Sequence, residues 1–314
     1  MNKKVIVIIT LSYLLLLFTL TFPFKKYQIT LPGNITDVNS SLLFEENINN
    51  QFYTTYVVSY RKPTLFQLFV SKIATSPKTS KNSLNNYYYD SFLDEELSFQ
   101  YATISAYEKA KIVNEEIEID YSLGGYAVVT TKNKSILGDV FTKIDNLDLQ
   151  TTSYEDLLSY LANTNEITVT AEKDQQIKNY QLSKENNKFN LNLKPFYKIN
   201  HLSPSYEKKY QNDYIGGPSG GLIQALFIYH QILKLETNLK IAGTCTITPT
   251  GNVGEIGGIF QKVFTVNQKV DLFFCPEAHF IDASLAYQKL SKPTFKLVFV
   301  SNLDEALEYL KNYE

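Results

Sequence analysis

Two short segments carry the side chains best suited to covalent chemistry. In the first, Gly217-Pro218-Ser219-Gly220-Gly221 leads directly into a run whose Leu222, Ile223, Leu226, Ile228, Tyr229, Ile232 and Leu233 are apolar, which predicts a buried helix starting at the turn. A serine hydroxyl at that start lies beside free N–H groups and the positive end of the helix dipole, where developing negative charge is favoured. Gly217, Pro218 and Gly220 shape the turn so that backbone can approach an oxyanion closely. Serine is also a preferred helix N-cap, so the turn alone leaves a purely structural role open. In the second segment Lys262 follows Ser219 by 43 residues, in apolar company. If the chain from Ile256 onward is helical, Lys262 shares a side with Ile259 and Val266, and apolar surroundings disfavour the ammonium form. A neutral amine is a general base, but an ordinary lysine pKa of roughly 10.4 leaves it charged at neutral pH, so burial must lower it by units. A solvated surface lysine is the alternative.

Other chemistries find less support. The turn also satisfies G-x-S-x-G, the nucleophile elbow of esterases, with Asp271 and His279 following in the required order. That elbow needs an apolar strand just before the serine, and Glu207 to Asp213 is polar and charged. Of the histidines His201, His230 and His279, only the last has ligand-type neighbours, Cys275 and Glu277, with no second pair to complete a zinc site, so no metal is expected. No G-x-x-x-x-G-K-[ST] loop occurs, which argues against ATP, and no cofactor is expected. In 314 residues, 30 basic against 32 acidic side chains give a charge of −2 and no excess field for a polyphosphate backbone, so nucleic acid is not expected as a partner.

The elements that must position these residues begin with an uncharged run from Val5 to Phe24, which as a helix spans about 30 Å, the thickness of a bilayer core. It ends in Pro23, Phe24, Lys25 and Lys26 rather than in a small-residue cleavage site, so residues 1–26 are expected to be an uncleaved transmembrane signal anchor. Lys3, Lys4 and the amino terminus oppose Lys25 and Lys26, and the balance leans to an N-terminus inside and a single-pass membrane protein with its catalytic part extracellular. In that compartment Cys245 and Cys275 could pair or remain buried free thiols. Over 27–120 an extended run, Gln51 to Tyr60, precedes a polar loop over 75–86 and a helix from about Phe92 to Ala110. From 121 to 184 the order is a Gly124-Gly125 turn, the strand Tyr126 to Thr130, Gly138-Asp139 before another strand, a helix capped by Ser153 and answered by Asp156, and a strand from Glu166 to Ala171.

That order resembles a PDZ domain, which binds an extended peptide by adding it as a strand, and the resemblance implies peptide contacts at Gly124, Gly125 and Tyr126. The turn reads Leu123-Gly124-Gly125-Tyr126, an imperfect version of the family's carboxylate-binding loop, and a connecting module with no ligand is the alternative. The two chemical segments together resemble the Lon-type peptidases. Their motifs stand here as Gly217-Pro218-Ser219-Gly220-Gly221 and Gly251-Asn252-Val253-Gly254-Glu255-Ile256-Gly257-Gly258-Ile259-Phe260-Gln261-Lys262. The resemblance implies a Ser219 nucleophile, a Lys262 base and, from Gly243-Thr244, a Thr244 that orients the amine. Gly220 stands where the family usually has Ala, and Gly216 where it often has an acidic residue.

The whole arrangement looks like the membrane-anchored PDZ-Lon peptidases of Gram-positive-type bacteria. It implies an α/β (α+β) fold in which residues 27–120 contribute to the catalytic domain, 121–184 form an inserted PDZ-like module and 185–314 complete the Lon-type domain. It further implies ATP-independent cleavage of peptides or unfolded proteins by a Ser-Lys dyad, with assembly into a homo-oligomer possible. A rival is a membrane-tethered adaptor that binds peptides without cutting them.

Overall fold

The computed structural model of the chain describes residues 3–81, 87–209 and 216–313. The end of the polar stretch over 75–86, residues 210–213 of the charged segment and Tyr214 and Ile215 lie outside the described residues. The helices are α1 (Lys3–Thr21), α2 (Leu65–Ile73), α3 (Ser91–Val113), α4 (Tyr154–Asn163), α5 (Gly221–Ile232), α6 (Ile259–Val266), α7 (Phe280–Gln288) and α8 (Leu303–Tyr313). Together with two larger sheets they make a mixed α/β fold. Helix α1 has no buried residue and is long and apolar enough to cross a membrane.

The main sheet runs, edge to edge, Lys296–Val300, Leu272–Pro276, Lys240–Gly243, Gln51–Tyr60, Tyr27–Asp37 and Lys78–Lys81. The first four strands are parallel and the last two antiparallel to their neighbours. Parallel strands are buried on both faces, which explains why Leu272 to Cys275 is an unbroken apolar run. Successive residues feed opposite faces: Phe52, Ile241, Leu272, Phe274 and Val298 join α3, α5 and α8 in one core. Ala242, Phe273 and Cys275 join α6 and α7 in a core on the other face. The segments before residue 113 and after 221 thus share one sheet and one core.

The second sheet is antiparallel, in the order Gln176–Ser183, Glu166–Lys173, Val140–Ile144, Glu118–Thr131 and Leu191–Ser203. Its own core contains Val128, Phe141, Ile144, Leu157, Val169 and Leu193 beneath α4. The capping expected at Ser153 is formed: its hydroxyl accepts from the Asp156 N–H at 3.1 Å and donates to the Asp156 carboxylate at 2.7 Å. Strands 118–131 and 191–203 pair from Leu191 with Thr131 to Ser203 with Glu118. Along this ribbon Tyr126 and Val128 face the small core while Ala127 and Val129 face the main one, so the module grows out of the body on continuous strands.

One expected element is different. Gly124 and Gly125 are not a turn but lie within the 14-residue strand Glu118–Thr131. Gly125 has φ +132°, and a Cβ there would lie 2.3 Å from the Phe141 carbonyl oxygen. Glycine therefore serves the close approach of a neighbouring strand, at a point where the pairing register with the 191–203 strand also shifts.

Candidate active site

The parallel strand Lys240–Gly243 sits mid-sheet, and both α5 and α6 begin near its C-terminal end, the place where open α/β sheets hold their ligands. Pro218, Ser219 and Gly220 form a single 3-10 turn that flows into α5. Gly217 opens the turn at φ +109°, a conformation that a residue with a Cβ avoids. Helix α3 fixes the turn from below: the Gly217 N–H donates to the Ser91 carbonyl at 2.8 Å, and the Ser98 hydroxyl donates to the Pro218 carbonyl at 2.9 Å. A Cβ on Gly220 would come within 2.9 Å of Thr54 Cγ2, which accounts for glycine where alanine is usual in the resembled motif.

Lys262 lies in the first turn of α6, its N–H bonded to the Gly258 carbonyl at 3.0 Å. Ile259, Val263 and Val266 are buried around it, and Lys262 is 3% exposed. Its Nζ is 2.8 Å from Ser219 Oγ and 2.7 Å from Thr244 Oγ1. Thr244 is fully buried and held where the strand ends by donating its N–H to the Phe274 carbonyl at 3.0 Å. Loss of water around the amine pushes the Lys262 pKa down to about 8. Cys245 and Cys275 are free, buried thiols beside it; burial raises their own pKa values, and their small opposing effect on the amine is outweighed by its desolvation. At pH 7 an amine with this pKa is neutral in about one molecule in ten. When neutral it can accept the Ser219 proton while its N–H remains bonded to Thr244.

Ser219 and Lys262 open onto a cleft of about 960 Å³. Thr54 to Ser59 line it along one side. On the Gln51–Tyr60 strand, Lys240–Gly243 reaches only from Gln51 to Thr54, so beyond Thr54 the Gln51–Tyr60 strand has, among the described residues, a strand partner on one side alone, Tyr27–Asp37. An extended chain could pair with the other edge, beside Ser219. Thr55 Oγ1 and Gln224 Oε1, both on residues that line the cleft, are buried without a partner among the described residues. Buried polar atoms of this kind are satisfied by a ligand's N–H or C=O groups at little further cost. Asp37 and Glu95 also line the cleft, their carboxyls held above the usual range by burial.

The structure thus brings together Gly217, Pro218, Ser219, Gly220, Thr244 and Lys262. It does not bring Asp271 and His279 to them. These two flank the strand Leu272–Pro276 at its opposite ends, His279 accepts the Ile256 N–H at 3.0 Å, and Asp271 accepts the Lys240 N–H at 2.8 Å. An elbow-type triad is therefore not formed. Gly124, Gly125 and Tyr126 are buried far along the chain in the second sheet. Tyr126 pairs with Pro195 on one edge and Phe141 on the other, stacks on Tyr154 at 5.8 Å and donates its hydroxyl to the Thr152 carbonyl at 2.7 Å. The edge expected to receive a peptide is already occupied there. Sequence reasoning missed Ser98, Thr55 and Gln224. Only Gln224 left a trace, as the one polar residue in the otherwise apolar stretch Gly221 to Ile228 at the start of α5. No protein-family model matches the chain and no curated protein matches it, so the likeness to Lon-type peptidases rests on the two motifs and their surroundings.

Proposed function

We propose that the protein is a membrane-anchored, ATP-independent serine endopeptidase of Lon type that uses Ser219 and Lys262 as a dyad. The observation that carries this reading is a lysine amine, almost completely withdrawn from water, within hydrogen-bond distance of a serine hydroxyl at the start of a buried helix. Burying an amine is costly, and a structural N-cap serine needs no lysine beside it. Lys262 takes the proton from Ser219 as Oγ attacks the scissile carbonyl, and N–H groups at the start of α5 stabilise the oxyanion. The same amine then protonates the leaving nitrogen and activates the water that hydrolyses the acyl-enzyme. Thr244 keeps the amine pointed at Ser219. The strand edge from Thr55 to Ser59 suits an extended peptide or unfolded segment as substrate, and α1 would keep the cleft at the cell membrane, on its extracellular side.

The test is cleavage of a mixed peptide library by the full chain in detergent, without ATP, read by mass spectrometry and compared with Ser219→Ala and Lys262→Ala. Cleavage by the wild type alone is expected. Equal cleavage by all three chains would reject the dyad. Peptide binding without cleavage by any of them would move the reading to a tethered adaptor.

A further inference from the structure

Helix α2 carries its apolar residues on the wrong side for a helix whose only partner is the protein core. Leu68 and Ser71 face inward, whereas Phe66, Phe69, Val70 and Ile73, spaced as one stripe, are 50%, 62%, 38% and 71% exposed. Leu65 beside them is 42% exposed. A soluble surface helix shows the reverse pattern. The helix is a deliberate element rather than a frayed end, since Thr64 caps it and Gln67 closes a reciprocal capping box.

Its position says what covers the stripe. The chain leaving α1 pairs directly with the start of α2: Pro23 bridges to Thr64, and the Phe24 N–H donates to the Pro63 carbonyl at 2.8 Å. Phe18, Phe22 and Phe24 form a contiguous aromatic group at that end of α1, followed by Lys25, Lys26 and Tyr27, the basic and amphipathic aromatic residues of a membrane–water interface. Residues 1–36 and 47–89 contain nine basic side chains, among them Arg61, Lys62 and Lys72, and no acidic one, although the whole chain has two more acidic than basic residues. Cationic charge is thus gathered where phospholipid phosphates would lie. At the edge of the stripe, Phe66 and Val70 join Ile29, Leu31 and Tyr60 in lining an open apolar notch of about 200 Å³.

We infer that α2 is an interfacial helix whose Phe66-Phe69-Val70-Ile73 stripe inserts into the phospholipid surface beside α1. The inference rests on α1 lying in a bilayer and not on the dyad. The strand that lines the cleft runs through Arg61–Pro63 into α2, so the insertion fixes the cleft close to the lipid and favours chain segments that lie near the membrane.

The experiment uses the full chain in vesicles of mixed phosphatidylcholine and phosphatidylglycerol, with an environment-sensitive fluorophore on a single introduced cysteine. The native Cys245 and Cys275 are fully buried and unreactive to the label. Phe69→Cys and Ile73→Cys are compared with Leu15→Cys in α1 and with Ile177→Cys, which is 76% exposed in the second sheet. Quenching by doxyl-labelled lipid is expected to be several-fold stronger at positions 69 and 73 than at 177. If Leu15→Cys is quenched and Phe69→Cys behaves like Ile177→Cys, the interfacial helix is refuted while the anchor stands. If Leu15→Cys is not quenched, both fall. A Phe69→Cys signal that depends on protein concentration and not on doxyl lipid would assign the stripe to a second copy of the chain, and would also overturn the inference.

Discussion

The serine-lysine centre and the antiparallel module at 118–203 both announce themselves in sequence by paired glycines, yet the glycines do different things in each. Around Ser219 they let polar side chains meet in a buried place. A Cβ on Gly221 would lie 2.7 Å from Ile247 Cγ2, and one on Gly243 would lie 2.5 Å from Ile223 Cγ1, so α5, the short antiparallel pair Thr246–Ile247 with Val253–Gly254, and the strand Lys240–Gly243 are pressed together until Lys262 and Thr244 meet the serine. In the module, Gly125 lets a second strand approach and no reactive group follows. Close backbone packing is therefore a signal of function only where it brings polar side chains into a buried, water-poor place.

The largest effect that can break this contrast is on turnover. Ser219→Ala should lower peptide cleavage by on the order of 10⁴-fold or more, while costing stability no more than the single hydrogen bond to Lys262, about 1 kcal/mol. The matching change in the module, Phe141→Ala, removes a fully buried ring and should cost about 3–5 kcal/mol of the module's stability, read by hydrogen exchange in the 140–173 strands. Cleavage of short peptides by the part that remains folded should survive it. If Phe141→Ala silences the dyad as fully as Ser219→Ala does, the two regions are one cooperative unit and the contrast fails.

A smaller effect of opposite sign separates the regions further. The Lys262 pKa, about 8 when folded against an ordinary 10.5, means that between those values the unfolded chain holds a proton that the folded chain has released. Stability therefore rises with pH across that window, and below pH 8 the full cost of the buried charge is present. Lys262→Met should remove this cost and raise stability at pH 7 by up to about 3 kcal/mol, less what the lost hydrogen bonds to Thr244 and Ser219 contributed. The gain should fade by pH 10.5. Chemical denaturation at the two pH values measures it, and a destabilised Lys262→Met at pH 7 would show that the amine is not paying a desolvation penalty.

If the proposed dyad operates, the same pKa sets a pH dependence of turnover. The neutral fraction, and with it kcat/KM, should rise about tenfold from pH 6 to 7, about fivefold from pH 7 to 8, and level off near pH 9. A flat profile between pH 6 and 8 would remove Lys262 from the role of base, whatever its distance to Ser219.

How much of this was legible beforehand follows the same division. Local signals carried the extended run Gln51–Tyr60, the long helix at 91–113 and the capped helix at Ser153, because turn chemistry and apolar periodicity act over a few residues, whereas the meeting of Ser219, Thr244 and Lys262 was expected only from the resemblance of their two motifs to Lon-type peptidases. The Gly124-Gly125 turn was misread because a bulge depends on strands distant in sequence, here Phe141 and Pro195 to Tyr197. Helix α2 was overlooked for a related reason: its exposed apolar stripe and short length give no clean inward face to detect. Thr55 and Ser98 carry no sequence signal, since their relevance comes only from the strand edge and helix that the fold sets beside Ser219.

The finest comparison removes one hydroxyl from each region. Thr244→Val keeps shape and replaces the oxygen 2.7 Å from Lys262 Nζ with a methyl group, and Ser153→Ala deletes the cap of α4. Each forfeits about 1 kcal/mol of hydrogen bonding. In the module that loss should appear as stability, with cleavage unchanged. At the dyad it should appear as a several-fold fall in the rate plateau, because a less constrained amine spends less time facing Ser219. Thr244 Oγ1 accepts from the amine and so favours its charged form, and its removal should also move the midpoint of the pH profile downward. Equal stability losses with no movement in the pH profile of Thr244→Val would mean that Thr244 only fills space, and that the polar contacts of the two regions are of one kind.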